Sequence, residues 1–99
     1  MPNKLEEARR IINEVDAQMA ELFVKRMRAV EMVYEDKKGL DLPILDSKRE
    51  AEVIEKNAAR VADEELRKYY IDYVKCLMSL SRDYQQRMKE KENCHESHI

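Results

Sequence analysis

One arginine interrupts an apolar stripe that otherwise runs along the first predicted helix. The apolar residues recur at alternating steps of three and four, which is the spacing of one face of an amphipathic or coiled-coil helix. They are Leu5, Ala8, Ile12, Val15, Met19, Leu22, Ala29 and Val33. Arg26 stands where the spacing calls for another apolar side chain. Because a buried guanidinium is costly unless it is paired, and the sequence offers no obvious local partner, we expect Arg26 to bind an anionic ligand.

Two further cations are spaced to join Arg26 in such a site. Lys37 follows about three helical turns later, so the two side chains point nearly the same way, roughly 16 Å apart along the axis. Together they could hold a small dianion. Arg9 lies roughly 25 Å from Arg26 in the other direction, too far to reach the same small ligand within one chain. An antiparallel second copy could supply it, which predicts a site shared between two protomers.

An acidic residue, Glu50, lies on the apolar side of the second predicted helix with Val53 and Ile54. It also fits a structural role, because residues 47–50 (SKRE) match the S-x-x-E capping box, in which the acid bonds to the backbone at the helix start. The two roles are compatible, since a helix cap and a binding pocket can adjoin. Glu50 is therefore a candidate for both.

Ser81 and Gln85 interrupt apolar rows of the third predicted helix with neutral hydrogen-bonding groups. They are four residues apart and are neighbours on the helix surface. A single inward serine or glutamine is more often a satisfied core group than a ligand. The two together, in a chain that also carries Arg26 and Lys37, favour a pocket.

The spacing of apolar residues predicts a first helix from Leu5 to Lys38, with Gly39 as its C-cap. At 1.5 Å per residue this helix is about 50 Å long, which exceeds the width of a small domain. Such a helix needs a partner to cover its apolar face. Another copy of the same chain is the simplest partner, so we expect a homodimer.

A second, shorter helix is predicted after a loop over residues 40–45. It starts at Asp46 or Ser47 and runs to about Arg60 or Val61. A third helix begins near residue 64, after a capping aspartate at position 63.

The helical pattern fades beyond Met88, which predicts a helical domain over residues 1–88 and a solvated C-terminal tail over residues 89–99. The tail carries a loose C-H-x-x-H arrangement of Cys94, His95 and His98. Two or three such residues at a chain end do not make a closed metal site, and we expect no metal there.

Composition limits the fold and the function. One glycine, two prolines, 40 % charged and 43 % hydrophobic residues in helical periods are typical of an all-α domain. The 19 basic and 21 acidic residues are interspersed, so the electrostatic footprint of a nucleic-acid-binding protein is missing. The sequence starts without a signal-peptide pattern and contains no apolar run of membrane-spanning length, so we expect a cytoplasmic protein without membrane attachment. Nucleophile–base pairs and glycine-rich phosphate loops are also missing, and we expect no cofactor.

The pattern resembles a known family, the all-α chorismate mutases. The opening LEEARRIINEVDAQMAELFVKRM is similar to that family's L-x-x-x-R-x-x-I-x-x-x-D-x-x-x-x-x-L-x-x-x-R, the segment LPILDSKREAEVI to its P-[IV]-x-D-x-x-R-E, and SLSRDYQ to its S-x-x-x-Q ending. The resemblance covers about residues 5–88. It implies three helices per chain, long, short and long, in an intertwined homodimer with two equivalent sites.

The same resemblance implies a set of site residues. Arg26 and the partner subunit's Arg9 would bind the substrate's carboxylates, and Lys37 would contact one carboxylate and the ether oxygen. Gln85 would donate to the same oxygen, with Gln86 as a less favoured register. The remaining positions are Glu50 for the ring hydroxyl, Asp46 and Arg49 for orienting this network, and Ser81 for a carboxylate.

The function implied is the isomerisation of chorismate to prephenate in the shikimate pathway of aromatic amino-acid biosynthesis. Two alternatives stay open from the sequence. One is an isochorismate-pyruvate lyase on the same scaffold, whose pocket would look similar. The other is a non-catalytic helical dimerisation module, which leaves the polar residues on the apolar faces without a role.

Overall fold

The computed structural model describes residues 3–40 and 42–96, with side chains up to residue 92. Three helices follow one another: α1 (Lys4–Leu40), α2 (Ser47–Ala58) and α3 (Glu64–Glu96). The described residues form no strand, so the predicted all-α class with a long, a short and a long helix is confirmed. None of the helices in this part of the chain carries an apolar stretch sufficient to span a lipid bilayer.

Helix α1 starts and ends differently from the sequence prediction. Asn3 caps its start, since the Asn3 Oδ1 atom accepts a hydrogen bond of 2.8 Å from the Glu6 backbone N–H. Gly39 was expected to stop the helix, but it is helical, and α1 continues to Leu40. The last turn closes through a hydrogen bond of 2.9 Å from the Leu42 backbone N–H to the Lys37 carbonyl. The assignment of Gly39 as a C-cap is therefore wrong.

Helix α2 is capped by Asp46. This residue is extended (φ −125°, ψ 92°), and its carboxylate accepts a hydrogen bond of 3.0 Å from the Arg49 backbone N–H. Ser47 is the first helical residue, so the predicted capping box from Ser47 to Glu50 is wrong. The Glu50 carboxylate therefore does not serve as the capping-box acid at the helix start. The helix ends at Ala58, two or three residues earlier than predicted.

Asp63 caps helix α3 as predicted. Its Oδ1 atom accepts hydrogen bonds from the backbone N–H groups of Glu65 (2.9 Å) and Leu66 (3.1 Å). One turn further on, the Arg67 guanidinium donates to the carbonyls of Val61 (2.9 Å) and Ala62 (3.2 Å). These contacts fix the short connection between α2 and α3, and the two helices pack on each other.

The chain divides into two units within α1, Met1–Met32 and Val33–Ile99. In the second unit the buried apolar side chains are Tyr34, Val74 and Met78, and the buried polar ones are Ser81 and Gln85. In the first unit none of the described residues is buried. Its large apolar side chains are exposed, Leu22 to 62 %. The apolar stripe of α1 thus has no cover within that unit.

Helix α3 continues beyond the position at which the periodic pattern fades. Lys89, Glu90 and Lys91 are exposed, but Glu92 is half-buried and accepts hydrogen bonds of 2.8 Å from the Tyr34 hydroxyl and from the Lys38 ammonium. A residue of the predicted tail therefore contacts the C-terminal part of α1. The domain boundary at residue 88 stays a prediction, and the side chains of the C-H-x-x-H arrangement (Cys94, His95 and His98) lie outside the described residues.

Hydrogen bonding and burial shift the pKa values of the cluster formed by Tyr34, Lys38 and Glu92. The hydrogen bond from Lys38, followed by that from Tyr34, lowers the pKa of Glu92. The hydrogen bond with Glu92 raises the pKa of Lys38. Burial, followed by the hydrogen bond to Glu92, raises the pKa of Tyr34. Each shift favours the protonation state that forms the cluster at neutral pH.

The lowered pKa makes the contribution of Glu92 to stability depend on pH. The contribution is present above the ordinary pKa of a glutamate and is lost as the pH falls through the lowered pKa of the folded state. We therefore expect Glu92→Gln to reduce the free energy of unfolding at about pH 7 and to have little effect at about pH 3. Urea unfolding at both pH values measures this difference. The exposed Glu90→Gln is the matched control, and an equal loss for Glu92→Gln at both pH values would contradict the expectation.

Candidate functional site

Gln85 presents a buried polar atom without a partner. The residue is 6 % exposed on helix α3, and its Oε1 atom is buried with no hydrogen-bond partner in the described part of the chain. Native proteins rarely leave a buried side-chain oxygen unsatisfied, because its lost hydration is then uncompensated. Such an atom needs a hydrogen-bond partner from outside the described residues. Rotation of the amide by 180° exchanges Oε1 and Nε2, so this position can accept or donate.

Ser81 lies one helical turn before Gln85 and is also buried, at 7 % exposure. Its hydroxyl donates a hydrogen bond of 2.8 Å to the Leu77 carbonyl in the preceding turn. This bond holds the hydroxyl against the helix backbone. The two polar residues predicted to face inward from α3 are thus both buried in the structure.

Glu50 faces α3 through an ion pair that the sequence analysis did not predict. The Arg82 Nη1 atom donates to both Oε1 and Oε2 of Glu50. The exposed fractions of the two side chains are 34 % for Arg82 and 25 % for Glu50, so the pair is partly shielded from water. Arg82 directly follows Ser81 and precedes Gln85 by three residues, and this i,i+3 spacing to Gln85 was the available signal.

Lys37 is half-buried near the end of α1 and ties the helix to the following linker. Its Nζ atom donates a hydrogen bond of 3.1 Å to the Ile44 carbonyl. An ammonium group has three donors, so two remain for other partners. Ile44 lies two residues before Asp46, and the contact therefore places Lys37 beside the start of α2.

Asp46 and Arg49 serve the local structure of α2. The Asp46 carboxylate is used as the helix cap, and the group that it binds is the backbone N–H of Arg49. Both residues are exposed. The structure therefore gives Asp46 a positioning role at the helix start, and it leaves the Arg49 guanidinium at the surface.

The remaining two predicted site residues lie in the unit Met1–Met32. Arg26 is half-buried, whereas Arg9 is exposed. Arg9 lies in a shallow depression, open to solvent, on one face of α1. The lining residues are Glu6, Arg9, Arg10, Asn13, Glu14 and Ala17. This depression is a surface of a single helix and has no enclosing wall, so it is not itself a binding pocket.

The second unit thus brings together a carboxylate, a guanidinium and two buried polar side chains. The Glu50–Arg82 pair joins α2 to the stretch of α3 that carries Ser81 and Gln85, and Lys37 lies at the linker before α2. These groups can donate to anionic oxygens and accept from a hydroxyl. The described residues contain no group of three or more histidine, cysteine or acidic side chains arranged to hold a metal ion.

Comparison with known proteins gives one match. The sequence model of the family chorismate mutase type II matches residues 8–86. The matched range includes all eight predicted site residues, and it ends before Glu92. No curated protein and no solved structure matches the chain.

Proposed function

Because the chain belongs to the chorismate mutase type II family, we propose that it catalyses the Claisen rearrangement of chorismate to prephenate in aromatic amino-acid biosynthesis. Apart from family membership, the observation that carries this proposal is the amide oxygen of Gln85, which is buried and has no partner among the described residues. The reaction is unimolecular and pericyclic, and it requires no nucleophile, metal or cofactor. The protein's task is to hold a compact conformer of the substrate and to stabilise the negative charge that develops on the ether oxygen.

Gln85 and Lys37 are the proposed donors to that oxygen. With its amide turned so that Nε2 occupies the buried position, Gln85 donates where Oε1 now lacks a partner. Lys37 keeps two donors beyond its bond to the Ile44 carbonyl, and these serve the ether oxygen and one carboxylate. Each preorganised donor of this kind is typically worth about 3–4 kcal/mol of the activation barrier.

Binding of the dicarboxylate and of the ring hydroxyl is assigned to the other residues. Guanidinium groups match carboxylates in charge and geometry, so we assign Arg26 to one carboxylate and the partner subunit's Arg9 to the other. Glu50 accepts the hydrogen bond of the ring hydroxyl. The supporting residues are Ser81, whose hydroxyl would turn from the Leu77 carbonyl to donate to a carboxylate, and Asp46 and Arg49, which hold the start of α2 in place.

The shared site requires a homodimer, for which the surface of α1 gives support. The apolar side chains that recur along residues 3–32 are exposed in the single chain. Contiguous exposed apolar surface on this scale usually marks a protein interface. A second, antiparallel copy of α1 would cover this stripe and bring Arg9 to the other protomer's site.

The first test is turnover of chorismate and identification of the product. We expect prephenate to form with loss of the conjugated diene absorbance, and Arg26→Ala to lower kcat/KM at least about 100-fold. Arg28→Ala is the matched control, because Arg28 is exposed and pairs with Glu31 on the helix surface at 2.7 Å. Salicylate and pyruvate formed from isochorismate would identify a lyase instead. Turnover of neither substrate would favour a non-catalytic module.

The second test uses the pH dependence of turnover. An amide donates at any ordinary pH, so we expect wild-type kcat to change little between about pH 5 and about pH 7.5. In Gln85→Glu the carboxyl donates only when protonated, so kcat should fall as the pH rises through its pKa. Stopped-time assays across this range measure both profiles. A steep alkaline loss in the wild type would count against Gln85 as the donor.

The third test addresses the shared site. Arg9→Ala and Arg26→Ala chains should each be inactive alone, but a heterodimer of the two contains one intact site. Free exchange of equal amounts should restore about a quarter of the wild-type activity, because half of the dimers are mixed and each has one working site. Mass spectrometry of differently tagged chains verifies the exchange. Absence of recovery despite verified exchange would refute the donation of Arg9 across an interface.

A further inference from the structure

We propose that Arg82 is a positioning residue that fixes the Glu50 carboxylate for the hydroxyl of the bound substrate. This inference rests on the proposed function, and it adds a residue to which neither the sequence analysis nor the family match gives a role. Arg82 acts through Glu50 and is not itself assigned a contact with the substrate.

The geometry of the pair differs from that of the salt bridges that run along the surface of α1. Arg10–Glu14 and Arg28–Glu31 join neighbouring turns of one exposed helix face. Arg82 and Glu50 are 32 positions apart and join α3 to the first turn of α2. Both side chains are less exposed than those of Arg10 and Glu14. Arg82 contacts both oxygens of Glu50, as Arg28 does those of Glu31, but it does so from a different helix. Ion pairs at the surface contribute little to stability. A partly shielded pair between two helices, by contrast, restricts the orientation of its carboxylate.

The start of α2 directs Glu50 toward this contact. Asp46 caps the helix, so the Glu50 carboxylate is not used by the backbone at the helix start. An ionised carboxylate has about four lone-pair positions, and the two contacts from Arg82 leave acceptor capacity on both oxygens. A substrate hydroxyl can therefore bind Glu50 without displacing Arg82.

Charge gives a second reason for the pairing. The proposed substrate carries two negative charges, and an uncompensated carboxylate beside it would repel it. The Arg82 guanidinium offsets the charge of Glu50 while leaving its oxygens able to accept. Glu50 can thus recognise a hydroxyl on an anionic ligand, which an unpaired glutamate in the same place would do poorly.

The kinetic test compares chorismate with an analogue that lacks the ring hydroxyl. We expect Arg82→Ala to lower kcat/KM for chorismate at least about fivefold more than kcat/KM for the analogue, because orientation of Glu50 matters only when the hydroxyl is present. The quantity compared is the ratio of kcat/KM for chorismate to kcat/KM for the analogue. Charge repulsion between Glu50 and the substrate, or a general loss of structure, lowers both values alike and therefore leaves this ratio unchanged. Arg82→Lys should lower this ratio less than Arg82→Ala does. A single nitrogen of Arg82 makes both contacts, and the lysine ammonium can replace it.

Matched variants make the outcome decisive. Arg87→Ala, an exposed arginine of the same helix, should leave the ratio unchanged. In a Glu50→Ala background, Arg82→Ala should have no further effect on the ratio. If Arg82→Ala does not fold, as judged by circular dichroism, Arg82→Gln replaces it.

Two failures can be told apart. An unchanged ratio in the Arg82 variants of an enzyme that converts chorismate would overturn the role of Arg82 and leave the proposed function in place. A wild-type protein that does not convert chorismate would overturn both.

Discussion

Burying a polar or charged side chain costs free energy unless a partner compensates for it, and this cost governs the arrangement of the second unit. Its described residues bury the apolar side chains of Tyr34, Val74 and Met78, and they bury Ser81 and Gln85 in the same interior. Ser81 is compensated by the carbonyl one turn before it. Gln85 keeps an oxygen that has no partner in the described part of the chain. In so small a core an unsatisfied amide oxygen is costly, and the proposed substrate would compensate for it.

The three helices could be predicted because their apolar residues recur with helical spacing over long stretches. The ends of the helices were less predictable, because they depend on which side chain captures a backbone N–H or carbonyl. Two capping residues were possible at the start of α2, and Asp46 takes the position that the S-x-x-E pattern gave to Ser47. Gly39 shows the opposite case, since a glycine after a periodic segment need not stop a helix when the chain can continue in helical geometry.

For the candidate site, the sequence could predict which side chains lie on the inward face of a helix. Ser81 and Gln85 were expected to point inward, and both are buried. Contacts between helices could not be read from periodicity, because they depend on how the helices pack against one another. Arg82 was missed for this reason, as was the contact of Glu92 with Tyr34 and Lys38. The roles of all eight predicted site residues stay proposals that rest on the family and on these positions.

The uncovered apolar face of α1 has a consequence for the behaviour of the chain in solution. None of the described residues 3–32 is buried within the single chain. In the proposed dimer their apolar side chains become buried only when two chains associate, so this packing depends on the protein concentration. Dilution would then dissociate complete sites into halves that each lack one arginine. The activity per milligram of enzyme would then fall as the enzyme concentration in the assay is lowered, even though the chemical step involves a single substrate molecule.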